Sequence, residues 1–79
     1  MKKQEQLYKS WRELVTLKEK MGNTVLQVCE HPDATPEDLM NAASKYAAVV
    51  KMLRDHKPTM LEALKNHTIL WHSVRDLKI

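Results

Sequence analysis

The residue types best suited to metal binding are one cysteine and four histidines, and their spacing decides whether they can act together. Cys29 and His31 form a C-x-H pair, but a zinc site needs about two more ligands. His56 would lie about 30 Å from that pair at the far end of a helix. His67 and His72 are separated by about 140° around a helix and cannot chelate one ion. We therefore expect no metal and no cofactor.

The sequence also lacks the groups needed for catalysis. Cys29 has no basic neighbour in sequence that would stabilise a thiolate. The acidic residues are scattered along solvated faces or stand where helices begin. The one glycine, Gly22, cannot form a phosphate-binding loop alone. Because a nucleophile, a base and oxyanion donors cannot be assembled, we expect the protein not to be an enzyme.

Size and composition restrict the class of protein. A chain of 79 residues forms one domain with a small core. One cysteine cannot form an intramolecular disulfide, which favours a reducing compartment, and the polar start is not a secretory signal. No apolar stretch approaches the ~20 residues that cross a bilayer. We therefore expect a cytoplasmic protein that does not span a membrane, with a mild net charge of +3.

Apolar residues at alternating spacings of four and three predict a first helix over residues 3–30. Gly22 is its weak position, at about 1 kcal/mol relative to alanine, and marks either a kink or a close helix contact. The predicted seam of this helix is formed by Leu7, Trp11, Leu14, Lys18, Met21, Val25 and Val28.

Two further helices follow from capping and proline signals. Thr35 and Pro36 predict the start of a second helix over residues 36–56, with Leu39, Ala43, Tyr46, Val50 and Leu53 on its seam. Pro58 is expected to separate it from a third helix over residues 59–78, whose start matches a capping box of Thr59 and Glu62. One face of the third helix would carry Met60, Ala63, Leu64, His67, Leu70, Trp71, Val74 and Leu77.

The predicted fold is all-α, either a three-helix up-down-up bundle or a long helical hairpin with a third helix, in a single domain over residues 1–79. Because the second helix is shorter than the first, it would cover the first only back to about residue 9. Leu7 and Tyr8 would then project uncovered, with Trp11 at the edge. The alternative is a frayed, unpaired helix end.

His67 allows two interpretations. It is either a hydrogen-bonded core residue, in which case leucine would be tolerated there and aspartate would be costly, or part of a contact surface beside Trp71. The candidate partner-binding residues are therefore Leu7, Tyr8, Trp11, His67 and Trp71.

The leading functional hypothesis is a small non-catalytic protein-binding module, a chaperone, adaptor or inhibitor of bacterial or phage type that acts through apolar helix faces. Its partner would be another protein, and the chain itself would form a homodimer. The alternative is a nucleic-acid-binding helical protein that uses the basic end of the bundle. The near balance of 13 basic and 10 acidic residues counts against it. Its candidate contacts with an anionic partner are Lys2, Lys3, Lys9, Arg12, Arg54 and Lys57.

Overall fold

The computed structural model describes residues 2–79, with side chains described from Lys3 onwards. Three helices occupy this range: α1 (Lys2–Glu30), α2 (Pro36–Ala63) and α3 (Thr68–Arg75). The described residues contain no strand. The all-α prediction is confirmed, in its second form: α1 and α2 make a long helical hairpin, and α3 is a short third helix against one end of it.

The hairpin turn forms where the sequence predicts it. The backbone N–H of Asp33 donates to Nδ1 of His31 at 3.2 Å within the turn. The hydroxyl of Thr35 then accepts a hydrogen bond from the backbone N–H of Asp38 at 3.2 Å, and the Asp38 carboxylate accepts one from the Thr35 N–H at 3.1 Å. Pro36 occupies the first turn of α2, where its missing N–H has no helical partner to lose.

The predicted break at Pro58 is wrong, because α2 runs through this residue and ends at Ala63. Interior proline costs a helix about 3 kcal/mol. Met60 and Leu64 continue the seam of Leu53 and are 8% and 0% exposed. Burying two side chains of this size contributes about 1.5–3 kcal/mol each, which outweighs the cost of the proline.

The predicted third helix is correspondingly too long. The capping box of Thr59 and Glu62 does not form, and Glu62 instead pairs with Lys65 at 2.9 Å on the surface. The chain turns after Ala63, and the eight-residue α3 begins at Thr68 with His67 as its N-cap.

The seam of α2 is also displaced from its predicted position near the turn. Leu39 and Ala43 are exposed, whereas Ala42 and Val49 are buried and Tyr46 is half-buried. Ala42, Tyr46, Val49 and Leu53 therefore form the row that faces α1.

The core lies in the half of the hairpin that α3 covers. It contains Trp11, Val15, Val49, Leu53, Met60, Leu64 and Val74. The molecule measures 50 × 18 × 16 Å, so the half nearer the turn is a two-helix layer with little buried interior. No helix within residues 2–79 combines the length and apolar character needed to cross a bilayer.

Candidate functional site

The predicted overhang at the start of α1 is not present. Because α2 continues to Ala63, it covers α1 almost to its first turn, and the side-chain amide of Gln4 donates to the Ala63 carbonyl at 3.1 Å. Trp11 is 2% exposed and belongs to the core, so its side chain offers no surface to a partner. Of the three N-terminal residues predicted to bind a partner, only Leu7 is exposed, at 36%.

Tyr8, His67 and Trp71 make contacts within the chain. The hydroxyl of Tyr8 lies 2.7 Å from that of Ser73 and joins α1 to α3. Nδ1 of His67 accepts the backbone N–H of Leu70 at 3.4 Å. His67 is therefore a hydrogen-bonded helix cap that is half-buried and not a core residue, and its place in a contact surface stays a prediction.

Trp71 is half-buried and packs against the core on one side. The guanidinium carbon of Arg75 lies 5.2 Å from the centroid of the Trp71 ring. The rings of Trp71 and His72 are in a T-shaped contact with 5.1 Å between their centroids. Trp71 and Leu7 are not brought together in one binding face.

The predicted basic contacts lie mostly at the surface. Lys3, Lys9, Arg12 and Arg54 are exposed. Lys57 is half-buried and donates to the carbonyl of Leu77 at 2.8 Å, which holds the end of the chain against α2. The side chain of Lys2 lies outside the part of the chain that is described.

One long side of the hairpin is left uncovered by α3. Two grooves open on it, one near the start of α1 beside Leu7, Leu14 and Met60, and one near the turn beside Met21 and Val28. Neither groove includes a residue of α3. The groove near the start is almost wholly apolar.

A regular row of α1 residues joins these two grooves. The row advances by alternating steps of three and four, the spacing of a coiled-coil seam. We call it the α1 seam; it consists of Leu7, Ser10, Leu14, Leu17, Met21, Thr24 and Val28. Leu17, at its centre, is 36% exposed although it is a large apolar side chain in mid-helix.

The opposite edge of the same side comes from α2. Ala42 and Lys45 line the groove near the turn, His56 and Met60 line the groove near the start of α1, and Met52 lies between them in sequence, four residues before His56. Met52 is 42% exposed. We call the α1 seam and this α2 row together the groove face.

The groove face is hard to see in the sequence because two seams overlap on α1. One seam faces α2 and contains Trp11, Lys18 and Val25. The other lies next to it around the helix, toward the open side, and contains Leu7, Leu14 and Met21. When the two sets are read as a single seam, Leu17 belongs to neither set. The spacing of Leu17 from Leu14 and Met21 is the sequence signal that indicates a second apolar seam.

Four other large apolar side chains are exposed and line neither of these grooves: Leu26 on α1, Leu39 and Met40 on α2, and Ile69 on α3. Ile69 is 77% exposed and Leu26 is 60% exposed. Leu26 lies nine residues after Leu17, about half a turn around the helix, and lines a groove with Gly22 and Tyr46 on the opposite side. Single exposed apolar residues are common on soluble domains and indicate no site.

The residues considered for metal binding or catalysis are dispersed. Cys29 is exposed at the end of α1, and His31 bonds within the turn. Among residues 2–79, no three His, Cys, Asp or Glu side chains gather into a group able to hold a metal ion. Comparison of the chain with protein-family models, with curated proteins and with solved structures found no match.

Proposed function

We propose that the protein is a small non-catalytic protein-binding module, a chaperone, adaptor or inhibitor, that acts in the cytoplasm through its groove face. The observation that supports this most directly is the α1 seam, in which Leu7 and Leu17 are each 36% exposed and the half-buried Leu14 and Met21 line the two grooves on the uncovered side. Contiguous apolar surface of this kind is typical of interaction sites, whereas scattered apolar residues are not.

The shape of the face suits an amphipathic helix as the bound element. A groove between two long helices accepts the apolar stripe of a third helix, read through anchors at every third and fourth residue. Met21 lines the groove near the turn and Met60 the groove near the start of α1, and methionine side chains adapt to partners of differing shape. We therefore expect an apolar helix of another protein to bind along the hairpin.

Nucleic-acid binding is the second candidate, favoured by the exposure of Lys3, Lys9 and Arg12 along one end of α1. Phosphate contacts release counterions, so this type of binding weakens steeply as salt rises. An apolar protein interface changes little over the same range of salt.

Co-purification with matched variants tests the proposal. The tagged chain, a Leu17→Asp variant and a Leu26→Asp variant are each recovered from cells of the native source, and co-eluting proteins are identified by mass spectrometry. Both leucines are exposed on α1, but only Leu17 lies on the groove face. The expected result is a partner protein that remains with the parent and Leu26→Asp at high salt and is lost with Leu17→Asp. Equal recovery with both variants, or recovery of nucleic acid that salt removes, would contradict the proposal.

A further inference from the structure

We propose that a second copy of this chain binds the groove face in antiparallel orientation, so that two hairpins form a four-helix layer with the α3 helices outside. This inference rests on the proposed function, because the second copy occupies the same face and a helix of another protein would bind there by displacing it. It follows from the surface area, the charges beside the α1 seam and the charge difference between the two ends of the hairpin.

The single chain exposes more surface than a compact protein of its size. Its accessible area is 6020 Å², whereas a compact monomer of 9.2 kDa is expected to expose about 4,900 Å². Its radius of gyration is 15.3 Å, against about 11.6 Å for a compact domain of this length. The hairpin is thus elongated, and the side that α3 does not cover is exposed to solvent.

The open side has the dimensions of a stable interface. The whole molecule is 50 Å long and 16–18 Å across, so a side that runs along its length is comparable to the area of about 800 Å² that a standard interface buries on each partner. Pairing two such sides would bury an area similar to the excess of accessible surface that the single chain has over a compact monomer. An isologous contact also requires the same patch on both copies, and the α1 seam is continuous along nearly the whole of α1.

Charges beside the seam are self-complementary in an antiparallel pair. The residues that precede Leu7, Leu14, Met21 and Val28 form a flanking row of Gln6, Glu13, Lys20 and Gln27, all exposed. Two antiparallel α1 helices that cross at Leu17 would place Glu13 of each copy beside Lys20 of the other, and Gln6 beside Gln27. Such flanking pairs determine partner choice and orientation in paired helices. Neither Glu13 nor Lys20 forms an ion pair within the described residues.

The two ends of the hairpin also carry opposite charge. Residues 30–38, around the turn, hold Glu30, Asp33, Glu37 and Asp38 with no lysine or arginine. The other end, residues 3–12 and 54–65, holds Lys3, Lys9, Arg12, Arg54, Lys57 and Lys65 against Glu5, Asp55 and Glu62. An antiparallel pair brings each acidic turn to the basic end of the other copy, whereas a parallel pair would place the acidic turns together.

Light scattering on the purified chain at micromolar concentration tests whether the second copy binds. The parent and Leu26→Asp are expected to give twice the mass of 9.2 kDa, and Leu17→Asp the mass of one chain with its helix content retained. Glu13→Lys and Lys20→Glu should each raise the dimer dissociation constant about tenfold by replacing two attractive pairs with repulsive ones, and the double variant should restore it.

Cysteine cross-linking tests the orientation. In a Cys29→Ser background, Ser10→Cys and Thr24→Cys chains are oxidised separately and as a mixture; both positions are exposed on the α1 seam. Antiparallel pairing brings residue 10 of one copy to residue 24 of the other, so disulfides should form mainly in the mixture. Cross-linking of each variant with itself would instead show parallel pairing and overturn the orientation.

A parent chain that stays monomeric overturns the second-copy proposal, as does a dimer that Leu17→Asp leaves intact. The proposed function fails by a different measurement, since it requires that a heterologous protein be lost with Leu17→Asp and kept with Leu26→Asp. A monomeric chain that loses its partner on Leu17→Asp would therefore refute the second copy and support the binding face.

Discussion

The hydroxyl groups of Tyr8 and Ser73 lie 2.7 Å apart, within hydrogen-bond distance, and join the first helix to the last across 65 residues of sequence. The short α3 packs mainly on α2, so this contact is a side-chain link between α3 and α1. An eight-residue helix is too short to be stable by itself. Its position therefore depends on contacts such as this one and on the burial of Val74, which is 0% exposed.

Tyr8→Phe is expected to loosen α3. The change removes the contact with Ser73 at an exposed site, so the free energy of unfolding should fall by about 0.5–1 kcal/mol. Amide hydrogen exchange over residues 68–75 should accelerate while exchange in the middle of α2 stays unchanged. Tyr46→Phe is the matched control, because the Tyr46 hydroxyl makes no hydrogen bond within residues 2–79. Equal exchange in α3 for the two variants would show that the Tyr8 hydroxyl does not hold α3.

His67→Asp is expected to leave the free energy of unfolding unchanged or to raise it. At a core position the same change would lower it, because the aspartate charge would be buried without a partner. Nδ1 of His67 caps α3 by accepting the N–H of Leu70, and aspartate is among the best residues for that role. His67→Ala should lower the free energy of unfolding by about 1 kcal/mol, and His67→Leu should do the same. Urea denaturation of the three variants is the measurement. A large loss of stability in His67→Asp alone would return His67 to the core.

The elements set by local signals were predictable from sequence. The span of α1 follows from an uninterrupted apolar spacing, and the start of α2 follows from Thr35 and Pro36, whose capping geometry depends only on residues nearby. Pro58 was misread for the opposite reason. Its local preference to end a helix is opposed by the burial of Met60 and Leu64 against residues far away in sequence, which no local pattern reports.

That single error accounts for most of the mistakes about the candidate site. With α2 ending at residue 56, Trp11 stands at the edge of an uncovered helix end; with α2 ending at Ala63, it is 2% exposed in the core. The groove face was harder to predict, because it depends on which side of the hairpin α3 occupies. The sequence contains the spacing of Leu14, Leu17 and Met21 but not the position of α3.

Pro58→Ala is expected to stabilise the protein. Proline lacks the N–H that would bond the Arg54 carbonyl and costs a helix interior about 3 kcal/mol, although alanine gives the unfolded chain more freedom, worth about 0.4–1 kcal/mol. The net gain in the free energy of unfolding should be about 2–3 kcal/mol, measured by urea denaturation. Pro36→Ala is the control, since proline is suited to the first turn of a helix, and it should be neutral or slightly destabilising. Destabilisation by Pro58→Ala would mean that the core requires the local distortion that proline introduces.

Gly22→Ala tests how closely the two long helices approach near Tyr46. A β-carbon added at Gly22 would lie 3.3 Å from Cε2 of Tyr46, which is tight for such a contact. Alanine is favoured over glycine in a helix by about 1 kcal/mol, and the half-buried Tyr46 ring has solvent on one side into which it can shift.

We therefore expect Gly22→Ala to raise the free energy of unfolding by about 0.5 kcal/mol, the helical gain less the cost of moving the ring. Gly22→Leu should lower it by about 1–3 kcal/mol, because its larger side chain must separate α1 from α2. Asn23→Ala, at the exposed neighbouring position, reports the gain from helix propensity alone. Thermal and urea denaturation of the three variants measure these changes in the free energy of unfolding. Equal gains for Gly22→Leu and Asn23→Ala would show that the helices are not in close contact at Gly22.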